Sequence, residues 1–145
     1  MKAISLYLAD DDEEDREIFM DALEEIPLNT EVTQFDDGVD LMDNLFSVET
    51  LPDVIFLDLY MPIMDGFECL LDIRNFSKFD DIKIVVYSTS FVQREVNQLK
   101  EDGADQYLQK PSSFRDLKEL LLKSLEPIKS SITKSKSSSE FVVIL

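Results

Sequence analysis

The chain has 145 residues, most simply one domain with room for a core, and its apolar share of 44% excludes a disordered polymer. A formal charge of -17, with no basic helix or stripe to offset it, argues against DNA as a partner, because nucleic-acid binding rests on neutralising phosphates. The single cysteine, Cys69, excludes an intramolecular disulfide, and the absence of histidine excludes histidine phosphotransfer and histidine-dependent triads within the chain.

The opening residues, MKAISLYLAD, run straight into a strand, Ile4 to Ala9, without the charged start and long apolar core of a signal peptide. No apolar stretch approaches the length of a membrane span, so a cytoplasmic protein without a membrane partner is expected. Three acids, Asp10, Asp11 and Asp12, follow the first strand. A helix from about Glu13 to Ile26 then carries Ile18, Phe19, Ala22, Leu23 and Ile26 on one face, and Pro27 stops it. Glu31 to Phe35 reads as a short second strand, and Asp36-Asp37-Gly38 turns the chain into a helix with Val39, Leu41, Met42, Leu45 and Phe46.

The third strand, Val54-Ile55-Phe56-Leu57, is wholly apolar and delivers one carboxylate, Asp58. A loop through Tyr60 and Pro62 leads to Gly66, which opens a third helix fading near Asn75. Cys69 falls within that helical pattern, where a packed thiol is expected. Ile82 to Tyr87 is the fourth strand, followed by Ser88. The fourth helix, Val92 to Glu101, has only Val92, Val96 and Leu99 as apolar anchors and ends at Gly103. Gln106 to Gln109 is the fifth strand, closed by Lys110 and Pro111. Ser113 caps the last helix, with Asp116 in the capping-box position and Leu117, Leu120, Leu121 and Leu125 as its buried stripe. Alternating strands and helices of this kind predict an α/β fold with a doubly wound five-stranded parallel sheet.

Residues 1–128 form this domain, and residues 129–145 break its pattern as a tail. Ser130 to Glu140, SSITKSKSSSE, reads as a flexible linker, and Phe141 to Leu145 is wholly apolar and β-prone. Such an end is expected to dock on the chain's own sheet edge, on a second copy or on a separate partner; the second copy, hence a homodimer, is favoured.

In an open parallel sheet the site lies at the carboxyl ends of the strands, so Asp10, Asp11, Asp58, Ser88 and Lys110 are expected to converge. A carboxylate can attack a phosphoryl group, but anion against anion needs cations. Asp10, Asp11 and Asp58 would form an oxygen-only site suited to Mg2+. Lys110 offers a point charge to a phosphoryl oxygen and Ser88 a hydroxyl donor.

Four segments in this order, LADDDEEDR, LDLYMPIMDG, VVYSTS and GADQYLQKP, resemble the receiver domain of response regulators in bacterial two-component signalling, over roughly residues 2–128. The resemblance implies a flavodoxin-like (βα)5 fold with strand order 2-1-3-4-5. It makes Asp58 the phosphoacceptor, with Asp58, Ser88 and Lys110 as the catalytic set. It makes Asp11, Asp58 and the carbonyl of Tyr60 direct ligands of Mg2+ or Mn2+, with Asp10 acting through water. Ser88 and Tyr107 match a switch pair, and the Lys110–Pro111 bond matches one that is typically cis. A histidine kinase or phosphotransfer protein is the implied donor, and a downstream protein the implied partner. The chain ends soon after the fifth helix, so output by protein contact, read on the face of the fourth helix, fifth strand and fifth helix, is expected, not enzymatic turnover. The rival is a Mg2+-dependent phosphatase with an Asp nucleophile. Tyr60 stands where such an enzyme carries its second acid.

Overall fold

The computed structural model describes residues 2–131 and 141–144, so Met1, Leu145 and most of the linker expected to be flexible, residues 132–140, lie outside the described residues. Five strands, β1 (Ile4–Ala9), β2 (Thr30–Phe35), β3 (Val54–Leu57), β4 (Lys83–Ser88) and β5 (Gln106–Gln109), alternate with α1 (Glu13–Glu24), α2 (Gly38–Ser47), α3 (Gly66–Arg74), α4 (Gln93–Glu101) and α5 (Phe114–Ser131). The sheet is parallel with order β2-β1-β3-β4-β5, as the resemblance implies. No helix among the described residues is long and apolar enough to cross a membrane.

β3 sits between β1 and β4 and is buried at every position, which is why its sequence is an unbroken apolar run. Successive side chains point to opposite faces of the sheet. Ile55 and Leu57 join α2, α3 and α4 in one apolar cluster; Val54 and Phe56 join α1 and α5 in the other. Phe19 of α1 packs edge-on against Phe56 at 5.1 Å between ring centres.

Side-chain oxygens begin several helices. Asp12, Asp37 and Asp65 accept the amides of Asp15, Asp40 and Glu68, and Asp65 with Glu68 forms a reciprocal capping box. The amide of Asp116 donates to the Ser113 hydroxyl, as the sequence predicts. Arg74, at the end of α3, donates to the carbonyls of Gly103, Phe79 and Ile82 and to Asp105. It thereby ties together the loops that precede β4 and β5.

Several expectations need correction. Ile18 faces solvent. The buried face of α1 is Phe19, Ala22 and Leu23 with Ile26 beyond it, and one residue off that face is turned by about 100°. Val92 caps α4 and is exposed, leaving Val96 and Leu99 as that helix's buried residues. α5 continues through Ser131, past the expected boundary at residue 128, with Pro127 inside it. No peptide bond among the described residues is cis, so Lys110–Pro111 is trans. That is the lower-energy isomer of the bond, and Lys110 reaches the acid cluster from it.

The apolar end of the chain docks on its own sheet, the first of the three places expected from sequence and not the favoured second copy. The amide of Tyr107 donates to the Phe141 carbonyl at 2.8 Å, and the amide of Val143 donates to the Tyr107 carbonyl at 3.1 Å. Val142 is thus paired parallel to β5 at the sheet edge. The edge offers unpaired backbone groups within reach of the tail, and pairing them satisfies both partners.

Gly66 shows how closely the elements approach around β3. Its amide donates to the Leu59 carbonyl at 2.8 Å, and a Cβ added there would lie 2.2 Å from the Asp58 carbonyl oxygen. Both colliding partners are backbone, so Gly66→Ala is expected to cost about 1–3 kcal/mol of stability, read as a lower urea midpoint with unchanged slope.

Candidate functional site

Ladder bonds continue one residue beyond three strands. The amide of Asp10 donates to Phe35 O at 3.0 Å, that of Asp58 to Ala9 O at 2.9 Å, and that of Lys110 to Ser88 O at 2.7 Å. Because Ala9 lies opposite Leu57, the next residues, Asp10 and Asp58, stand side by side at the carboxyl rim. Asp11 joins them: carboxylate oxygens of Asp10, Asp11 and Asp58 lie within 4.8 Å of one another. Asp10 and Asp58 are buried, and Asp11 is exposed.

Lys110 reaches this cluster from β5. Its Nζ passes 5.2 Å from the centre of the Tyr87 ring on β4. It ends 2.7 Å from Asp10 Oδ2, 2.9 Å from Asp15 Oδ2 and 3.7 Å from Asp58 Oδ2. Burial alone would depress its pKa, but the bonds to Asp10 and Asp15 and the charge of Asp58 outweigh it and raise the value. The backbone amide of Leu59 holds Asp58 Oδ1 at 2.8 Å. Desolvation nevertheless pushes the Asp58 carboxyl up to about 7, with Lys110 opposing and Asp10 reinforcing the shift.

Other residues singled out from sequence stand nearby with different partners. Ser88 is buried, and its hydroxyl lies 3.2 Å from that of Ser90 and accepts the Ser90 amide at 3.3 Å. Tyr107 is buried, its hydroxyl donates to the Ser90 carbonyl, and its ring meets that of Phe91 edge-on. The Tyr60 side chain is exposed and turned away to the start of α4, with its hydroxyl 3.0 Å from Glu95. The Cys69 thiol is buried and pushed up to about 12, first by desolvation, as befits a packed side chain.

Sequence reasoning missed Asp15 and Arg16. Asp15 shares Lys110, and Arg16 donates to the Asp10 carbonyl at 2.6 Å and to Gln34. Both lie in the first turns of the helix that starts after the acid cluster, which brings them back to Lys110 and to the Asp10 carbonyl.

The family model for the response regulator receiver domain matches residues 6–122. The chain belongs to the response-regulator receiver family. It is 30% identical over 117 residues to a probable methanogenesis regulatory protein, FilR2, of Methanothrix harundinacea, covering 78% of this chain and 76% of that one. It is 26% identical over 117 residues to the sensor histidine kinase CheAY of Helicobacter pylori, covering 81% of this chain but 14% of the kinase. The solved structure of the phosphorylated cyanobacterial phytochrome response regulator RcpA superposes with a TM-score of 0.81 at 25% identity, over 90% of this chain and 96% of that one.

The rim of this receiver fits a small divalent cation. Three carboxylates, Asp10, Asp15 and Asp58, share one ammonium there, and Asp11 stands beside Asp10 and Asp58, so hard oxygen donors are left in excess. The raised Asp58 value, due first to desolvation and then to Asp10, means that a cation placed there would favour the charged carboxylate.

Two predictions follow from these electrostatics and from the loop beyond Asp58. A folded-state carboxyl pKa above the unfolded value of about 3.9 means that the metal-free protein loses stability as pH rises from about 4 through about 7. Asp58→Asn removes that loss, so it should stabilise the metal-free protein at pH 8 by on the order of 2 kcal/mol, the full shift being discounted for solvent access, and by little at pH 4. Thermal unfolding in chelator at the two pH values checks this. In the same loop Ile63 holds φ at 69° with its side chain exposed, a strained backbone for a β-branched residue. Ile63→Asn, which tolerates that region, should raise stability by about 0.5–1 kcal/mol in urea unfolding.

Proposed function

We propose that this receiver is a phosphorylation-dependent signalling switch whose acceptor is Asp58. The observation that carries the reading is the site's charge arrangement: a buried carboxylate with an ammonium 3.7 Å away and further acid oxygens within 4.8 Å. The donor is the phosphorylated imidazole of a histidine kinase or phosphotransfer protein, since this chain has no histidine of its own. An Asp58 oxygen attacks phosphorus, the O–P bond forms as the P–N bond breaks, and the imidazole leaves with the electron pair and takes up a proton.

The chain's own groups suit the parts of that transfer. Lys110 provides a mobile point charge for a phosphoryl oxygen, and its existing carboxylate partners hold it at the rim. Ser88 would donate its hydroxyl to another phosphoryl oxygen, which requires leaving Ser90. Tyr107 bonds the carbonyl of that same Ser90, so movement of the loop after β4 reaches the tyrosine directly. Asp11, Asp58 and the Tyr60 carbonyl, with Asp10 through water, would hold Mg2+ or Mn2+. When bound, the ion neutralises charge that would otherwise oppose an anionic nucleophile meeting an anionic phosphoryl group. A downstream protein reading the face of α4, β5 and α5 is the output. The formal charge of -17 weighs against direct DNA contact.

Incubation with acetyl phosphate and Mg2+ should add one phosphoryl group by intact mass, acid-stable and base-labile, absent from Asp58→Asn and from wild type in chelator. Equal labelling of Asp58→Asn would overturn the assignment. Sustained turnover of p-nitrophenyl phosphate would favour an Asp-nucleophile phosphatase instead.

A further inference from the structure

The apolar end of the chain occupies a defined slot, and the slot has the construction of a binding site. Its backbone edge is Tyr107, which gives both its amide and its carbonyl to the tail. Phe141 and Val142 pack against the apolar cluster that includes Val96 and Leu99 of α4 and Tyr107 of β5, and Val143 against the cluster that includes Leu117 and Leu121 of α5. A lysine stands at each end. Lys100 lies 5.9 Å from the centre of the Phe141 ring, and Lys123 Nζ donates to the Ile144 carbonyl at 2.7 Å.

The occupant is small, with one residue paired to the strand and Ile144 mostly in solvent. It is joined to α5 through the nine residues 132–140. A tether of that length presents the segment at an effective concentration on the order of millimolar, so even a weakly held strand fills the slot. The same weakness lets a better-fitting strand displace it. The occupant also defines what would fit: an extended segment running parallel to β5, with an aromatic residue followed by β-branched residues and a free amide at the position of Val143.

We propose that the edge of β5 between α4 and α5 is a docking site for an extended apolar peptide strand of a partner protein, and that Phe141–Ile144 is its built-in, displaceable occupant. The tail is then an autoinhibitory strand: a partner strand gains the slot only by displacing it. The proposal rests on the reading of the α4, β5 and α5 face as the output surface and names the kind of partner; it does not require that Asp58 accept a phosphoryl group.

The test uses the full chain and a full-chain variant, Phe141→Asp with Val143→Asp, which expels the tail without touching the body. The probe is a fluorescein-labelled synthetic peptide of sequence SSEFVVI, amidated, with a control peptide carrying proline in place of its second valine. By anisotropy the variant should bind the probe at least tenfold more tightly than wild type, and the proline peptide should bind the variant at least tenfold more weakly than the probe. Amide exchange of Tyr107 should be at least tenfold faster in the variant and slow again when the probe is added. Failure of the probe to bind either protein overturns the proposal. So does equal binding to both, or indifference to proline. A wild-type dimer by light scattering that disappears in the variant would also overturn it, by making the second copy the occupant.

Discussion

Lys110 is the group on which the rim depends. Its nearly buried ammonium meets Asp10, Asp15 and Asp58, which reach it from the ends of β1 and β3 and the first turn of α1. Taking carboxylates out of water costs several kcal/mol each unless a partner compensates, and here one cation serves three. A lysine suits this role better than an arginine would, because a compact charge with freely rotating donors can be shared among carboxylates that are not coplanar. The parallel sheet sets up the problem by bringing strand ends together, and β5 supplies the answer from two strands away from β3.

That compensation is incomplete, and the incompleteness is chemically useful. Fully neutralised, the cluster would be an inert ion-pair network. With oxygens in excess, it is instead a place where added positive charge, or exchange of a proton, changes the energy of the fold itself. Receiver chemistry and receiver stability thus draw on the same few atoms. Gly66, packed against the carbonyl of Asp58, shows how little backbone slack surrounds them.

Much of this was legible in the chain because the physics is local. An unbroken apolar run followed by a lone acid announces a buried strand with a carboxylate at its end, and β3 with Asp58 is that case. The cap at Ser113 marks a helix start through a bond three residues long, and the same local pattern at Asp12, Asp37 and Asp65 is seen in the structure. Long-range geometry was less legible. Asp15 looks like any acid in a first helical turn until Lys110 is placed beside it. The direction of the Tyr60 side chain depends on Glu95, thirty-five positions away. The tail's preference for its own sheet turns on the position of the β5 edge relative to the end of α5, which no run of apolar residues encodes.

The Arg74 fork sets a mechanical boundary condition. By gripping the carbonyls of Gly103, Phe79 and Ile82 together with Asp105, it clamps the amino-terminal feet of β4 and β5. The opposite tips, bearing Ser88 and Gln109, are joined by two single bonds, the Lys110 amide donating to Ser88 O at 2.7 Å and Gln109 Nε2 donating to Thr89 O at 3.0 Å. A strand clamped at its foot behaves as a cantilever, and six residues at about 3.3 Å each make an arm of roughly 20 Å. A tilt of about 3° at the foot then carries the tip by about 1 Å, a distance comparable to making or losing a hydrogen bond. Any tilt admitted at the clamped feet is therefore magnified at the tips, where those two bonds would have to adjust.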